Sequence, residues 1–293
     1  MIATEVQLNA LRPTARPFRP LFIPAVAVHV ACGNPWSSFE RDTLNPGLRS
    51  DATPAAIGLP FERIAIPSGE RVLDAFGVDA DRGCGSRGAV LIFHGRGETV
   101  ADWIRVQQSL RARCVSSIVF DYSGHGRSTP AGTIANLNAD AVAAEDWFLR
   151  SFPSSERRCL LSHSMGGGPM LFAAARSAEI DCVVLASPFS SLREMAVRDG
   201  LPSWLSFIMP DVWNNARAVE RLRVPLLWVH SQADTTIPDE LGRSVYEAAA
   251  VAKSSLILSG FDHNAIYEVA PPEIWDGVAA FVRGDWAPGG DAH

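Results

Sequence analysis

The pattern of apolar and polar positions changes character near residue 60. Before that point prolines recur too closely for long helices, because proline removes a backbone donor and clashes with the preceding turn. They stand at positions 13, 17, 20, 24, 35, 46, 54 and 60. We therefore predict a Pro-rich N-terminal extension over residues 1–59, a regular domain over residues 60–283 and a tail over residues 284–293. The extension is expected to wrap the domain or to direct it to a location.

Beyond residue 60, short apolar runs alternate with helical patterns. Residues 61–66 and 71–78 alternate with a period of two around a Pro-Ser-Gly-Glu turn, which predicts a hairpin. Residues 89–93 are continuously apolar, as in a strand buried on both faces. Further strands are predicted at residues 115–120, 158–161, 182–186, 225–229 and 255–258, and helices at residues 100–113, 134–151, 165–178, 239–250 and 272–282. This alternation predicts a mostly parallel sheet with helices on both faces.

Residues 190–223 interrupt the alternation and form a short lid-like insertion. Within it, residues 201–210 are apolar on nearly all sides. This segment is either a buried short helix, or a wall for an acyl group or a lip facing a membrane. In the second interpretation Trp204, Phe207 and Ile208 contact the substrate.

Composition narrows the class of partner. A chain of 293 residues, 47% of them hydrophobic, is long enough for one large core. The net charge is −6, Lys253 is the only lysine and no basic run exists, which argues against nucleic acid or an anionic membrane surface as a partner. The five cysteines have no metal-site spacing; Cys159 and Cys182 lie in apolar runs and are interpreted as reduced core residues. Reduced cysteines favour a reducing compartment.

The location of the protein depends on an ambiguous segment, residues 21–31. It is apolar, follows three arginines and ends at Cys32, which is the outline of an export or lipoprotein signal. Pro24 and His29 interrupt it, and no stretch reaches the roughly 18 apolar residues of a membrane-spanning helix. We expect a cytoplasmic protein, with export or lipid anchoring through residues 1–32 as the alternative.

The first candidate for chemistry is Ser164, in the stretch Leu-Leu-Ser-His-Ser-Met-Gly-Gly-Gly over residues 160–168. A serine between small residues, where a strand enters a helix, is typical of a nucleophile elbow. The turn is sharp, so the residues two positions to either side must be small, and Ser162 and Gly166 fill those places. The alternative interpretation is a glycine-rich turn without chemistry.

A nucleophilic serine needs a histidine base. Loops at the carboxyl ends of parallel strands form the site in such sheets, and His263 lies on a turn after the last predicted strand. His163 is adjacent to the serine, and neighbours on a tight turn point apart. His230 ends a strand and is expected to pack beside the acid.

The base in turn needs a carboxylate to hold its tautomer. Asp234 follows the strand predicted at residues 225–229 and is the candidate, with Asp262 as a weaker second. The order Ser164, Asp234, His263 is then nucleophile, acid and base. A helix-capping role for the aspartate is the alternative.

The oxyanion that forms on acyl transfer needs two backbone N–H donors. Met165 directly follows the nucleophile and is predicted to supply one. The other is predicted from Arg96, in the loop His-Gly-Arg-Gly-Glu at residues 94–98. The Arg96 side chain either caps a polar substrate group or faces water.

These motifs resemble a known superfamily. The loop at residues 94–98 and the elbow at residues 162–167 resemble the motif pair of monoacylglycerol lipases and serine aminopeptidase-like hydrolases. The loop at residues 121–128 is similar to the Asp-x-x-Gly-x-Gly-x-Ser loop of the α/β-hydrolase superfamily. The short connection at residues 190–223, together with Phe-Asp-His-Asn at residues 261–264, looks more like the small-lid branch, which includes protein depalmitoylases.

The resemblance covers residues 60–283 and implies an α/β-hydrolase fold with a minimal lid. It further implies an eight-stranded sheet whose second strand is antiparallel, and no cofactor. The chain departs from the pattern twice: Ser162 replaces the elbow glycine, and Arg96 stands where a small residue or asparagine is frequent. Both changes bear on the substrate and remove no catalytic atom.

The resulting functional prediction is a serine hydrolase that cleaves carboxylic esters or thioesters of a small-molecule or lipid-like acyl substrate. Membrane association is compatible with it. Amide or peptide cleavage on the same triad is one alternative, because leaving-group binding separates the two. A non-catalytic binding protein on the same fold is another. The sequence holds no Walker A, HExxH or EF-hand motif, and we expect no metal site.

Overall fold

The computed structural model describes residues 40–286, apart from residues 42, 85–86, 131 and 153–155 and the side chain of Ile208. In this part of the chain eight strands form one sheet in the order β1-β2-β4-β3-β5-β6-β7-β8. The strands are β1 (Glu62–Ser68), β2 (Arg71–Val78), β3 (Gly88–Phe93), β4 (Ser116–Phe120), β5 (Arg157–His163), β6 (Cys182–Ala186), β7 (Leu226–Ser231) and β8 (Lys253–Leu258).

The sheet has the predicted architecture. Strands β3 to β8 pair in parallel, while β2 is antiparallel to both of its neighbours. The predicted hairpin is confirmed, with Gly69 turning at φ 60°, a left-handed conformation that glycine adopts without steric cost. Strands β3 and β6 are buried at every position, which explains their unbroken apolar sequences.

Helices cover both faces of the sheet and build a core on each. They are α1 (Ile104–Ala112), α2 (Ile134–Ser151), α3 (Gly167–Ala174), α4 (Leu192–Arg198), α5 (Asn215–Val219), α6 (Asp239–Ala248), α7 (Ala265–Glu268) and α8 (Pro272–Arg283). Successive residues of β3 point to opposite faces: Leu91 joins one core and Ile92 the other. Within the described residues, no helix combines the length and apolar character needed to cross a membrane.

Two helix predictions differ from the structure at their ends by up to four residues. The helix predicted from residue 100 begins as a 3-10 helix, Val100–Trp103, before α1. The helix predicted over residues 165–178 is a 3-10 turn, Ser164–Gly166, followed by α3, which ends at Ala174. A tighter backbone bond from Arg176 N–H to the Ala173 carbonyl closes its last turn. The sharp turn at the serine and the closing turn shorten the regular helix at both ends.

The insertion at residues 190–223 contains α4, a 3-10 helix at Ser203–Ile208, and α5. Trp204 and Phe207 are 72% and 73% exposed, so the interpretation of this segment as a buried helix is wrong for these two side chains. Side chains three residues apart eclipse one another on a 3-10 helix, which places both aromatic rings on one side. That side faces solvent.

Part of the N-terminal extension packs on the domain. Leu44 is fully buried in the core, the Gly47 carbonyl accepts the Gly126 N–H, and a Glu40 carboxylate oxygen accepts the Ile134 N–H. These contacts agree with a wrapping role for residues 40–59. The division at residue 59 and the tail boundary at residue 284 stay predictions, and residues 1–39 and 287–293 lie outside the described residues.

Four cysteines are paired in disulfides, Cys84–Cys114 and Cys159–Cys182. The expectation that Cys159 and Cys182 are reduced core residues is therefore wrong. The two residues are direct partners in the register of β5 and β6, with Cα atoms 4.7 Å apart. Strand register is a tertiary property, and the sequence did not reveal this proximity. The argument for a reducing compartment depended on these cysteines being reduced and therefore no longer holds.

Candidate active site

Ser164 lies where β5 ends and the chain turns towards α3. Its φ is 51°, a left-handed conformation that is costly for a residue with a Cβ atom, and its side chain is 9% exposed. His163, the preceding residue, still has extended backbone geometry. The strained strand-to-helix turn expected from the sequence is thus present at Ser164.

Small residues beside the turn allow it to pack against the end of β3. A Cβ added to Gly166 would lie 2.1 Å from the Phe93 carbonyl oxygen and 2.7 Å from that of His94. Only glycine permits this approach without moving backbone. Ser162, in place of the usual glycine, lies on β5 opposite Phe93 and is 1% exposed. Its hydroxyl is accommodated without breaking the register.

Asp234 and His263 meet as predicted from their places in the sequence. His263 Nδ1 lies 2.7 Å from Asp234 Oδ2, and both residues are buried. Asp234 Oδ1 accepts the N–H groups of Thr236 and Ile237, which fixes the carboxylate. Burial opposes ionisation of Asp234, but the hydrogen bonds from His263 and Ile237 hold its pKa below the usual value.

The protonation of His263 suits a general base. Burial lowers its pKa, and the nearby His163 lowers it further, against the raising effect of Asp234. The ring is therefore neutral near pH 7. With its Nδ1 proton directed at Asp234, Nε2 is left to accept a proton.

The other two candidates near the acid have different roles. His230 Nε2 lies 3.0 Å from the Ile237 carbonyl oxygen and 3.9 Å from Asp234 Oδ2, so it packs beside the acid as expected. An Asp262 carboxylate oxygen accepts the backbone N–H of His263. Asp262 therefore orders the loop, and the imidazole pairs with Asp234.

The nucleophile turn and the histidine loop are in contact through His163. Its Nε2 lies 3.2 Å from the His263 carbonyl oxygen, and the two rings are 4.7 Å apart between centroids. Ser164 directly follows His163, so the structure brings the predicted nucleophile and base to the same edge of the sheet.

The predicted oxyanion donors belong to two converging loops. Met165 is 4% exposed in the 3-10 turn, and Arg96 is partly exposed in the loop after β3. Gly97, at φ 76°, turns that loop, and Gly166 packs directly beneath its start. The loops are adjacent; the donor roles of the Met165 and Arg96 N–H groups stay predictions.

Sequence reasoning missed two buried residues at this edge, Glu98 and His163. Glu98 Oε1 lies 2.7 Å from His163 Nδ1, and its Oε2 accepts the N–H of Gly95 and the indole N–H of Trp103. In the sequence, Glu98 is one residue of a glycine-rich loop, and His163 is a neighbour of the serine that is expected to point away from it. The available signal was a carboxylate at the end of a glycine-rich loop, immediately before a helix.

The loop after β4 also joins the site region. Asp121 Oδ1 accepts the Val100 N–H, and the Ser128 hydroxyl donates to the Asp121 carbonyl. Burial raises the pKa of Asp121 to about 6. Within the described residues, no group of three or more His, Cys, Asp or Glu side chains is arranged to hold a metal ion.

The insertion at residues 190–223 contacts the loop after β7 that carries Asp234, and also α3, the helix after Ser164. Arg198 of α4 donates to the carbonyl oxygens of Thr235 and Thr236, and Trp213 packs where a Gly168 side chain would lie. The exposed rings of Trp204 and Phe207 therefore belong to an element anchored beside the site. Their contact with substrate stays a prediction, as does that of Ile208.

Comparison with known proteins finds similarity to hydrolases. The family model described as serine aminopeptidase, S33, matches residues 85–218. The human protein ABHD12B is 27% identical over 191 residues, which are 57% of this chain and 52% of that protein. The lysophosphatidylserine lipase ABHD12 of Macaca fascicularis is 27% identical over 188 residues, covering 58% and 47% of the two chains. The chain thus spans about half the length of these relatives.

Solved structures share the fold. An esterase of Pyrococcus furiosus, Pf2001, aligns with a TM-score of 0.63 at 21% identity and covers 83% of this chain and 97% of its own. Est1E from Butyrivibrio proteoclasticus, solved with ferulic acid, aligns with a TM-score of 0.61 at 18% identity, over 74% and 97% of the chains. Together with the strand order and the strained serine turn, these matches show that the chain has the α/β-hydrolase fold.

Proposed function

We propose that the protein is a serine hydrolase that cleaves carboxylic esters or thioesters through an acyl-enzyme. The observation that carries the proposal is the 2.7 Å contact between His263 and Asp234, on loops that converge on a strained, buried Ser164. A nucleophile, a base and an acid that holds the base are what acyl transfer by a serine requires.

The chemistry follows from these residues. His263 Nε2 removes the Ser164 proton as the hydroxyl oxygen attacks the substrate carbonyl, and Asp234 stabilises the imidazolium that forms. The backbone N–H groups of Arg96 and Met165 bind the resulting oxyanion. His263 then returns the proton to the departing alcohol or thiol. Water repeats the cycle in the second half-reaction and releases the acid.

The substrate is proposed to be a small molecule or a lipid-like acyl compound. Relatives carry the name lysophosphatidylserine lipase, which supports a lipid-like acyl group. The exposed Trp204 and Phe207 offer an apolar surface on the insertion beside the site. A net charge of −6 gives no support for nucleic acid as a partner.

A fluorophosphonate probe tests the proposal directly. We expect labelling of the wild-type protein, none in Ser164→Ala, and hydrolysis of short p-nitrophenyl esters only by the wild type. Ser151→Ala is the matched control, because Ser151 is exposed on α2 and its hydroxyl donates to the Trp147 carbonyl of the same helix. A folded wild-type protein that stays unlabelled would favour a non-catalytic binding protein.

Amide or peptide cleavage is the second candidate, supported by the description of the matched family as serine aminopeptidase. The triad serves both reactions, and the leaving-group site decides between them. A panel of acyl esters, thioesters and aminoacyl amides separates the two. Preference for the amides by more than tenfold in kcat/KM would replace the esterase proposal.

A further inference from the structure

Beneath the proposed triad lies a buried chain of polar contacts that the acyl-transfer chemistry does not use. Glu98 is 4% exposed and His163 is fully buried. One Glu98 oxygen accepts the Gly95 N–H and the Trp103 indole N–H, at 2.7 Å and 2.9 Å. Its other oxygen lies 2.7 Å from His163 Nδ1.

The second ring nitrogen of His163 connects this series of polar contacts to the proposed base, His263. Nε2 lies 3.2 Å from the His263 carbonyl oxygen, which can only accept a hydrogen bond, so Nε2 carries a proton. Nδ1 faces a carboxylate and donates as well when Glu98 is ionised. Both contacts are then made by an imidazolium paired with a carboxylate.

The charges around the pair agree with this protonation. Burial opposes the charged forms, but the mutual attraction lowers the pKa of Glu98 and raises that of His163. Asp234 adds to the attraction on His163, and His94 to that on Glu98. The rings of Trp103 and Tyr267, with centroids 6.1 Å and 5.5 Å from that of His163, provide the apolar surroundings.

We propose that Glu98 and His163 form a positioning pair that holds the oxyanion loop and the His263 loop in register with Ser164. The inference rests on the proposed hydrolase function. Glu98 fixes the oxyanion loop through the Gly95 N–H, and His163 fixes the base through the His263 carbonyl. Neither side chain touches the reacting atoms. Displacing a reacting group by about 1 Å costs roughly 100-fold in rate. Loss of the positioning pair should therefore lower kcat.

Two substitutions of Glu98 separate geometry from charge. In Glu98→Gln the amide oxygen still accepts from Gly95 and Trp103, while the amide N–H donates to Nδ1 of a neutral His163. All four polar contacts, those of residue 98 with Gly95, Trp103 and His163 and that of His163 with His263, are then kept without charge. Glu98→Ala removes three of them. We expect kcat on a short ester to fall about 10- to 100-fold in Glu98→Ala with KM little changed, and to stay within about threefold in Glu98→Gln.

The charges of Glu98 and His163 are tested by the pH dependence of kcat/KM. The positive His163 lowers the pKa of His263 more than Glu98 raises it. Removing both charges in Glu98→Gln therefore moves the acidic limb of the kcat/KM profile to higher pH. Glu145, another buried glutamate, lies on α2, and Glu145→Gln and Glu145→Ala are matched controls in which kcat and the acidic limb should not change.

Nitrogen NMR of the His163 ring tests the pair without reference to activity. We expect both ring nitrogens protonated near pH 7 in the wild type and one in Glu98→Gln. A wild-type ring with one proton would overturn the charged form of the pair, and a folded Glu98→Ala with unchanged kcat, or equal losses in both Glu98 variants, would overturn its positioning role. Absence of fluorophosphonate labelling in the wild type would instead contradict the hydrolase function, and the NMR result alone would then decide the pair.

Discussion

Individual side chains at the edge of the sheet owe their protonation to burial and to one or two neighbours. Asp234 is buried yet ionised because His263 and two backbone N–H groups bind it. His263 is buried and neutral, since burial outweighs the attraction of Asp234. Glu145, on α2, is buried, and burial raises its pKa to about 7 against the opposing effect of its hydrogen bond with Ser177.

The first prediction concerns the acid–base pair. Because the pKa of His263 is lowered from its ordinary value of 6.5, the base form persists as pH falls, and the acidic limb of kcat/KM should lie below pH 6.5. Asp234→Asn should reduce kcat by about 10⁴-fold, because the imidazole loses the partner that sets its tautomer. Ester hydrolysis from pH 4 to pH 9 measures both. An acidic limb above pH 7 in the wild type would contradict the assignment.

The second prediction concerns stability and Glu145. Its pKa is about 7 in the folded protein against an ordinary 4.5, so the folded state binds the extra proton between these values. The free energy of unfolding should fall as pH rises through this window, by on the order of 2 kcal/mol. Glu145→Gln should lack this fall. Urea unfolding at pH 5 and pH 8 compares the two proteins, and parallel pH dependence would exclude the linkage.

At the scale of elements, the site depends on how closely the turn after β5 approaches the end of β3. Two successive glycines, Gly166 and Gly167, have nearly the same φ, −57° and −59°, and differ only in what faces them. Gly166 faces two backbone carbonyls, whereas a Cβ on Gly167 would meet Asn215 Nδ2 at 3.5 Å. The first position has no room for a methyl group and the second has.

These two glycines give the third prediction. Gly166→Ala should destabilise the fold by about 1–3 kcal/mol and lower kcat, because its methyl group pushes the oxyanion loop away from the turn. Gly167→Ala is the control and should be neutral or stabilising by up to about 1 kcal/mol, since alanine favours helix. Thermal unfolding and ester hydrolysis measure both effects. Equal behaviour of the two variants would refute the packing argument.

Across the described part of the molecule, two disulfides and the packing of residues 43–47 stabilise the domain. Cys159 and Cys182 are fully buried between β5 and β6, while Cys84 lies exposed on a loop. Disulfides persist in oxidising compartments. The cytoplasmic location stays a prediction, and the paired cysteines favour its alternative, an exported protein.

The fourth prediction is the thiol count and the order of reduction. Because all four cysteines within the described residues are paired, alkylation of the folded, unreduced protein should modify none of these four. Mild reductant should open Cys84–Cys114 first because it is accessible. The double variant Cys159→Ala, Cys182→Ala should lose about 3 kcal/mol, given the 23-residue separation. Mass spectrometry and unfolding check these outcomes; three or more alkylated thiols in the native protein would contradict the pairing.

The sequence by itself determined the parts that depend on local pattern. Strands buried on both faces favour apolar residues and helices are amphipathic, so β3, β6 and the helices α1, α2, α6 and α8 could be predicted to within a few residues. A small-residue turn identified Ser164, and the ends of predicted strands identified Asp234 and His263.

Only the tertiary structure decided which residues meet across the sheet. The register of β5 with β6 paired Cys159 with Cys182, and the approach of two loops buried Glu98 against His163. The same packing exposed Trp204. Such contacts join positions tens of residues apart, and no local periodicity encodes them. Each follows from strand order and loop closure, which become fixed only when the whole core has assembled.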